Sequence, residues 1–174
     1  AFIFEQRRPS GRHVLHCQNL SKSFAGNKVF DNASFQIERG QRVGLIGPNR
    51  CGKTTLLEII CGLQTPDTGS VSFGHYVELA YYSQMREDLD PAKTAADEIW
   101  SVVPGWTRGE VQSFLARFLF RGEEAFKAVK YMSGGEASRL ALAKLLLSKA
   151  NFLILDEPTN HLDLDSREVL EDAL

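Results

Sequence analysis

The chain contains the sequence Gly47-Pro48-Asn49-Arg50-Cys51-Gly52-Lys53-Thr54-Thr55, which follows the pattern G-x-x-x-x-G-K-T. Glycines let a backbone turn tightly, and the N–H groups of such a loop attract phosphate oxygens at a helix N-terminus. Lys53 adds a full positive charge for the outer phosphates, and the Thr54 hydroxyl suits magnesium. The pattern predicts a nucleotide site formed by these nine residues; the alternative is a glycine-rich turn with an unrelated lysine.

Hydrophobic patterning around this loop predicts an α/β fold. A strand is expected at 42–46 before the loop, and a helix at 56–60 after it. Alternation and apolar runs predict further strands at 14–18, 33–38, 70–73, 77–82 and 152–155. Helical periodicity is present at 94–103, 110–120 and 135–148, and a last helix is expected from near Asp165. Strands mixed with crossover helices favour a mixed core sheet with an antiparallel part near the N-terminus.

Bulk properties favour a cytoplasmic globular protein. The 174 residues are 43% apolar and 24% charged, with a net charge of −2, so composition gives no general signal for nucleic acid or membrane binding. No apolar run approaches the roughly 20 residues that a membrane span needs. Cys17, Cys51 and Cys61 lack metal-ligand spacing and are interpreted as free thiols in a reducing cytosol.

Two carboxylates follow the apolar run 152–155. At the end of a buried strand, Asp156 is expected to reach a bound metal, usually through its water shell, and Glu157 to face the water that attacks the outer phosphate. Taken alone, the same residues would be read as an acidic turn. A phosphate loop elsewhere in the chain favours the catalytic interpretation.

A third motif is Ser133-Gly134-Gly135-Glu136, at the start of the helix predicted over 135–148. Ser133 and Glu136 have the spacing of a capping box, which would explain them without any ligand. A cap does not need two adjacent glycines, however. These glycines would expose backbone N–H groups to an external anion at a helix N-terminus.

Together these motifs resemble the nucleotide-binding domain of the ATP-binding cassette (ABC) family. The phosphate loop, the 133–136 signature and the 155–157 strand end match the family in order and spacing. The resemblance implies ATP and Mg²⁺ as cofactors, with Phe24 stacking on adenine and Gln84 contacting magnesium and the attacking water. It also implies that Asp163, in the D-loop segment 160–163, contributes to the nucleotide site. The family's usual glycine is replaced by Arg50, which adds either backbone strain or charge near phosphate.

Segments 157–163, 74–76, 89–94 and 118–120 resemble the ABC-F subgroup, whose members carry two cassettes in one chain and act on ribosomes. Only 48 residues separate Gln84 from Ser133, so the arm of a first cassette does not fit. The resemblance therefore implies a second cassette at 14–174 with a helical subdomain at about 90–148. Residues 1–13, with Arg7, Arg8 and Arg12, then form the tail of an inter-cassette linker; the alternative is a solvated tail.

The family's switch histidine would lie beyond residue 174, and the chain ends inside a helical pattern, so a C-terminally incomplete cassette is expected. This segment alone is expected not to hydrolyse ATP, whereas the complete protein is expected to be an ATPase. Two alternatives stay open. One is the ATP-binding subunit of a membrane transporter, and the other is a structural cassette that does not hydrolyse ATP.

Overall fold

The computed structural model describes residues 8–82, 89–159 and 167. The described strands and α-helices are, in order, β1 (His13–Phe24), β2 (Asn27–Glu38), α1 (Lys53–Ile60), β3 (Thr68–Phe73), β4 (Leu79–Tyr82), α2 (Ala95–Val102), α3 (Arg108–Arg117), α4 (Gly134–Leu147) and β5 (Phe152–Leu155). Short 3₁₀ helices at Gly122–Phe126 and Val129–Tyr131 precede α4. The chain forms a β unit, Gln6–Ala80 with Ala150–Ile154, and a helical unit that contains Tyr81–Lys149 and resumes at Leu155.

The β unit is organised by an antiparallel sheet in the order β2-β1-β3. Ala25 and Gly26 both have positive φ, at 48° and 82°, and form the two-residue turn between β1 and β2. Such a turn matches the twist of paired strands. Both strands run further than the predicted 14–18 and 33–38, because the ladder continues past an irregularity at Asn19, whose φ is 49°. Asparagine tolerates this conformation, so the irregularity does not end the strand.

The strand expected at 42–46 is absent, and this prediction was wrong. Residues 41–48 carry no regular structure, and Ile46 is 95% exposed. An apolar run becomes a strand only when neighbouring strands complete its ladder and other elements cover its faces. Among the described residues no strand pairs with 42–46. The helix after the loop is present as α1 and begins earlier than predicted, at Lys53.

Strands β4 and β5 form a second, two-stranded sheet. The amide of Phe152 donates to the carbonyl of Glu78 at 3.1 Å, and the amide of Asp156 donates to that of Tyr82 at 2.9 Å. From the first bond to the second, the donor and the acceptor each lie four residues further along the chain, so the two strands run parallel. This sheet is the parallel part that the sequence predicted, and it carries Asp156 at its end.

Helices α2, α3 and α4 each begin with a capping box. Thr94, Thr107 and Ser133 accept from the backbone N–H three residues on, and the Asp or Glu at that position accepts from the cap's own N–H. Each box satisfies two N–H groups that would otherwise lack partners, and one cap is typically worth about 1 kcal/mol. The caps place the helix starts within two residues of the predicted ones.

Helix α3 ends at Arg117, three residues before the predicted end. The reason is Leu119, whose φ of 65° reverses the chain. Phe118 and Phe120 therefore both point into the core, each 2% exposed. Burying two phenylalanines outweighs the cost of one residue in the left-handed region, which is about 1–2 kcal/mol.

A buried ion pair joins two helices of the helical unit. Glu98 of α2 is 1% exposed and accepts from Lys144 of α4 at 2.6 Å, while its second oxygen accepts the amide of Asp90 at 2.7 Å. Both carboxylate oxygens are thus satisfied, as a buried charge requires. The pair fixes α2 against α4, the helix that begins with the 133–136 motif.

Within the described part of the chain, no helix combines the length and apolar character that a membrane crossing requires. The helix predicted from near Asp165 lies outside the described residues. Burial raises the pKa of the Cys17 and Cys61 thiols to about 11, so both stay protonated near neutral pH.

Candidate functional site

The phosphate loop of the β unit ends at the first turn of α1. Gly52 occupies the N-cap position with φ 97° and no side-chain cap, so the first N–H groups of the helix remain available to an anion. A Cβ at Gly52 would lie 2.1 Å from Val29 Cγ1. Two features therefore require glycine at position 52: the positive φ of the backbone and the close approach of β2.

Lys53 is held over the loop by its own backbone. Its Nζ donates to the carbonyls of Gly47 and Pro48, both at 2.8 Å. The ammonium thus lies against the first two residues of the loop. A phosphate oxygen that binds there can replace these carbonyls as the acceptor of the Lys53 hydrogen bonds.

Arg50 adopts the left-handed conformation, with φ 65°. This settles one of the two questions raised by its replacement of the family's glycine: the position does carry backbone strain, of about 1–2 kcal/mol. Its neighbour Cys51 is exposed, and a Cβ at Gly47 would lie 2.8 Å from its sulfur. The loop therefore closes tightly between Gly47 and Cys51. Asn49 and Thr54 are exposed, and Thr55 is half-buried in α1.

Phe24 lies at the end of β1, on the hairpin whose other strand touches Gly52 through Val29. Its ring is available, since the residue is 46% exposed. Lys22 Nζ lies 5.2 Å from the ring centroid. A purine stacked on Phe24 would therefore lie near the Lys22 ammonium, which belongs to the same hairpin as the ring.

At the end of β5 the two carboxylates have different surroundings. Asp156 is 6% exposed and is anchored by its amide to β4. Glu157 is exposed and has φ 46°. Strained non-glycine residues cluster at functional sites, and here the strain turns the chain directly after the strand. The structure thus places a buried carboxylate next to an exposed one at the end of β5, and their expected roles as metal ligand and base stay predictions.

The 133–136 motif forms the predicted capping box, so its side chains have structural roles whatever else they do. Glu136 accepts the Ser133 amide at 2.5 Å and both of its oxygens accept from Lys127, at 2.9 and 3.1 Å. Burial opposes ionisation of Glu136, but the hydrogen bonds from Lys127 and Ser133 outweigh it and lower its pKa to about 2. The N–H groups of Gly134 and Gly135, in the first turn of α4, have no partner within the helix.

Sequence reasoning missed Lys127, which fixes Glu136 from nine residues upstream. No periodicity links the two positions, because the 3₁₀ helix Val129–Tyr131 between them sets their distance. Gln84 and Asp163 lie outside the described residues, so their predicted roles stay predictions. The phosphate loop and Phe24 belong to the β unit, whereas Ser133–Glu136, Asp156 and Glu157 belong to the helical unit.

Each of the two units contains an oxygen donor of a type that suits magnesium. Thr54 provides a hydroxyl and Asp156 a carboxylate, both hard oxygen donors. Magnesium in nucleotide sites typically takes one or two protein ligands and completes its shell with phosphates and water. In the described ranges, no three His, Cys, Asp or Glu side chains are grouped to hold a metal by themselves.

Comparison with known proteins gives relatives along the whole chain. ATP-binding protein YdiF of Bacillus subtilis is 47% identical over 174 residues, which cover 99% of this chain and 27% of that protein. ABC transporter F family member 5 of Arabidopsis thaliana is 39% identical over 98% of this chain and 25% of its own length. Energy-dependent translational throttle protein EttA of Escherichia coli K12 is 42% identical over 94% of this chain and 30% of its own length. The chain therefore spans about a quarter of the length of these relatives.

Among solved structures, an inward-facing metal-chelate type ABC transporter matches with a TM-score of 0.69 at 22% identity. The match covers 93% of this chain and 66% of that one, and it supports the α/β fold. The sequence profile of the family described as ABC transporter matches residues 30–160. The motif-based resemblance is thereby confirmed: the chain belongs to the ATP-binding cassette family as a nucleotide-binding cassette, and its relatives include an F-type member.

Proposed function

We propose that this chain is the ATP-binding and ATP-hydrolysing cassette of a cytoplasmic ABC-F protein that acts on the ribosome. One observation carries the assignment to translation. The chain is 42% identical, over 94% of its length, to a protein named as a translational throttle. The phosphate loop and the carboxylates at the end of β5 support the ATPase activity.

Binding begins in the β unit. Adenine stacks on the exposed ring of Phe24, and the phosphates meet the N–H groups of the loop 47–55. Lys53 exchanges its bonds to the carbonyls of Gly47 and Pro48 for bonds to phosphate oxygens. Because the charged lysine already lies at the loop, this exchange requires little reorganisation.

Hydrolysis uses the carboxylates of the helical unit. Water attacks the outer phosphorus, the bond to the ADP oxygen breaks, and Glu157 receives the proton of the water. Asp156, through water molecules, the Thr54 hydroxyl and the Gln84 amide would hold magnesium. When bound, magnesium neutralises charge that develops on the phosphates.

A second cassette completes the site. In this proposal Ser133, Gly134, Gly135 and Glu136 contact the nucleotide of an opposite cassette, and Asp163 lies in the segment that joins the two. The lowered pKa of Glu136 keeps it ionised in its ion pair with Lys127. The N–H groups of both glycines are donors available for phosphate, whereas the ionised Glu136 carboxylate cannot donate.

Co-sedimentation with ribosomes tests this function. The complete parent protein carrying Glu157→Gln should bind ATP without turning it over, and so remain closed around it. We expect it to pellet with ribosomes in ATP and to stay in the supernatant without nucleotide. The matched control is Glu123→Gln, an exposed carboxylate of the same unit, which should leave turnover unchanged.

Two results would contradict the proposal. Absence of ATP-dependent pelleting, with recovery of a membrane permease in a pull-down, would assign the chain to transport. Equal ATP turnover in the parent protein and the Glu157→Gln variant would remove Glu157 from the chemistry and favour a structural cassette.

A further inference from the structure

Three segments of the β unit meet at one end of its sheet. The amide of Gly11 donates to the carbonyl of His75 at 2.9 Å, and the amide of Arg39 donates to that of Arg12 at 2.8 Å. The segment before β1, the end of β2 and the turn after β3 therefore form one continuous surface. We name it the Arg8–Tyr76 surface, after two of its residues whose side chains stack on each other.

Tyr76 is the most unusual residue of this surface. It has φ 60°, a conformation that glycine or asparagine adopts readily and a bulky aromatic residue rarely does. It is also 56% exposed, so its ring is not retained to fill the core. A strained residue whose side chain faces solvent suggests a role outside the fold.

The ring of Tyr76 is paired with a cation. The guanidinium of Arg8 lies 3.4 Å from the ring centroid. Asn151 fixes both partners, because its side-chain amide donates to the carbonyls of Arg8 and Tyr76 at 2.9 and 2.7 Å. The same side chain accepts the amide of Glu78 at 2.9 Å. The Arg8 backbone is thus hydrogen-bonded to Asn151, while the residue itself is exposed.

Charge on the surface favours an anion. Arg8, Arg12 and Arg39 contribute three guanidinium groups, against the carboxylates of Glu38 and Glu78. Arg12 uses only its Nε in its bond to Glu38, at 3.3 Å, and its side chain is 78% exposed. Arg39 uses one terminal nitrogen, which donates to the Ser10 carbonyl at 3.0 Å. Within the described ranges several N–H donors of these guanidinium groups have no acceptor, and phosphate is the external group that they fit best.

We propose that the Arg8–Tyr76 surface binds RNA, with Tyr76 stacking on an unpaired base and the arginines contacting the adjacent phosphates. An exposed ring beside guanidinium groups is the combination that binds single-stranded nucleic acid. The proposal deepens the proposed ribosomal function and rests on it, since it names the ribosomal component that the cassette contacts.

The test uses the complete parent protein with Glu157→Gln, ATP and purified ribosomes. Tyr76→Gly should raise the dissociation constant at least about fivefold, the lower range for loss of one base–aromatic stack. Its melting temperature should not fall, because glycine accepts the positive φ. Tyr76→Phe keeps the stack and should bind as the parent does. Lys28→Gln removes an exposed charge near the opposite end of the hairpin and is the matched control.

A second measurement separates this inference from the proposed function. Fluorescence anisotropy with a labelled 20-nucleotide single-stranded RNA should rank the parent and the Tyr76 variants in the same order of affinity as the ribosome measurement does. Arg8→Gln should reduce the salt dependence of RNA binding. If the parent protein does not bind ribosomes, the ribosomal function fails, while the RNA measurement still tests the surface. Equal RNA affinity of the Tyr76→Gly variant and the parent would overturn the inference. If only ribosome affinity falls, the surface contacts a ribosomal protein and the RNA assignment is wrong.

Discussion

At the scale of single residues, two positions of the phosphate loop both have positive φ, but only one of them carries a residue suited to it. Gly52 has the positive φ for which glycine is suited, whereas Arg50 has a φ of 65° with a long side chain. The first position serves the loop geometry. At the second position, glycine would remove the backbone strain. Substitutions of Arg50 can therefore separate the effect of backbone strain from the effect of the side-chain charge.

For Arg50, the matched pair is Arg50→Gly and Arg50→Ala. Both remove the charge, but only alanine keeps the strained φ, so the glycine variant should be more stable by about 1 kcal/mol. Denaturant unfolding measures this difference. If Arg50 also contacts phosphate, both variants should lose ATP affinity equally. Equal stability of the two variants would contradict the strain argument.

For Lys53, we expect Lys53→Ala to weaken ATP binding at least tenfold, equivalent to about 1.4 kcal/mol. Backbone N–H groups carry partial charges and cannot replace the ammonium that lies at the loop. Titration calorimetry gives the affinity directly, with Lys28→Ala as the control on the same unit. An unchanged affinity would exclude Lys53 from the site.

At the scale of elements, α4 depends on an interaction that reaches beyond its own cap. The box between Ser133 and Glu136 is local, but Lys127, between the two 3₁₀ helices, binds the same carboxylate. The start of the helix and the chain before it are therefore fixed together. This contact gives the element a measurable pH dependence.

Glu136 should make stability fall in acid. Its folded pKa of about 2 lies below the ordinary value of 4.5, so the folded state binds fewer protons than the unfolded one. The stabilisation is complete above about pH 4.5 and is lost as the pH falls towards 2. Glu136→Gln preserves the capping pattern and removes the charge. It should be less stable than the parent at pH 7, and the difference should shrink below pH 4.5, as followed by urea unfolding at several pH values. A difference independent of pH would refute this origin.

At the scale of the whole molecule, Glu157, whose catalytic role is a proposal, and the phosphate loop belong to different compact units. In the proposed mechanism turnover depends on residues of both units, whereas nucleotide affinity depends mainly on residues of the β unit. Substitutions in the two units should consequently separate binding from chemistry.

Glu157→Gln in the complete protein should lower the ATP turnover rate at least about a hundredfold, the lower range for loss of a general base. The dissociation constant for ATP should change less than threefold, since Phe24 and Lys53 are untouched. Steady-state phosphate release and nucleotide titration measure the two quantities. A parallel loss of affinity and turnover would place Glu157 in binding instead.

The sequence by itself determined the features that depend on neighbours within a few residues. The phosphate loop, the helix starts at Thr94, Thr107 and Ser133, and the carboxylates after β5 all follow from residue type and short spacing. Turns, caps and helix termini satisfy their hydrogen bonds locally, so their signals survive without knowledge of the remaining chain.

Tertiary structure alone decided the features that join distant residues. Short sequence patterns did not predict three features. These are the ion pair between Lys127 and Glu136, the hydrogen bonds of Asn151 to Arg8 and Tyr76, and the irregular backbone at 42–46. An apolar run becomes a strand only when partners complete its ladder, and a surface charge gains a role only when the fold supplies its neighbours. These outcomes depend on the path of the chain, because loop closure brings together residues that spacing cannot relate.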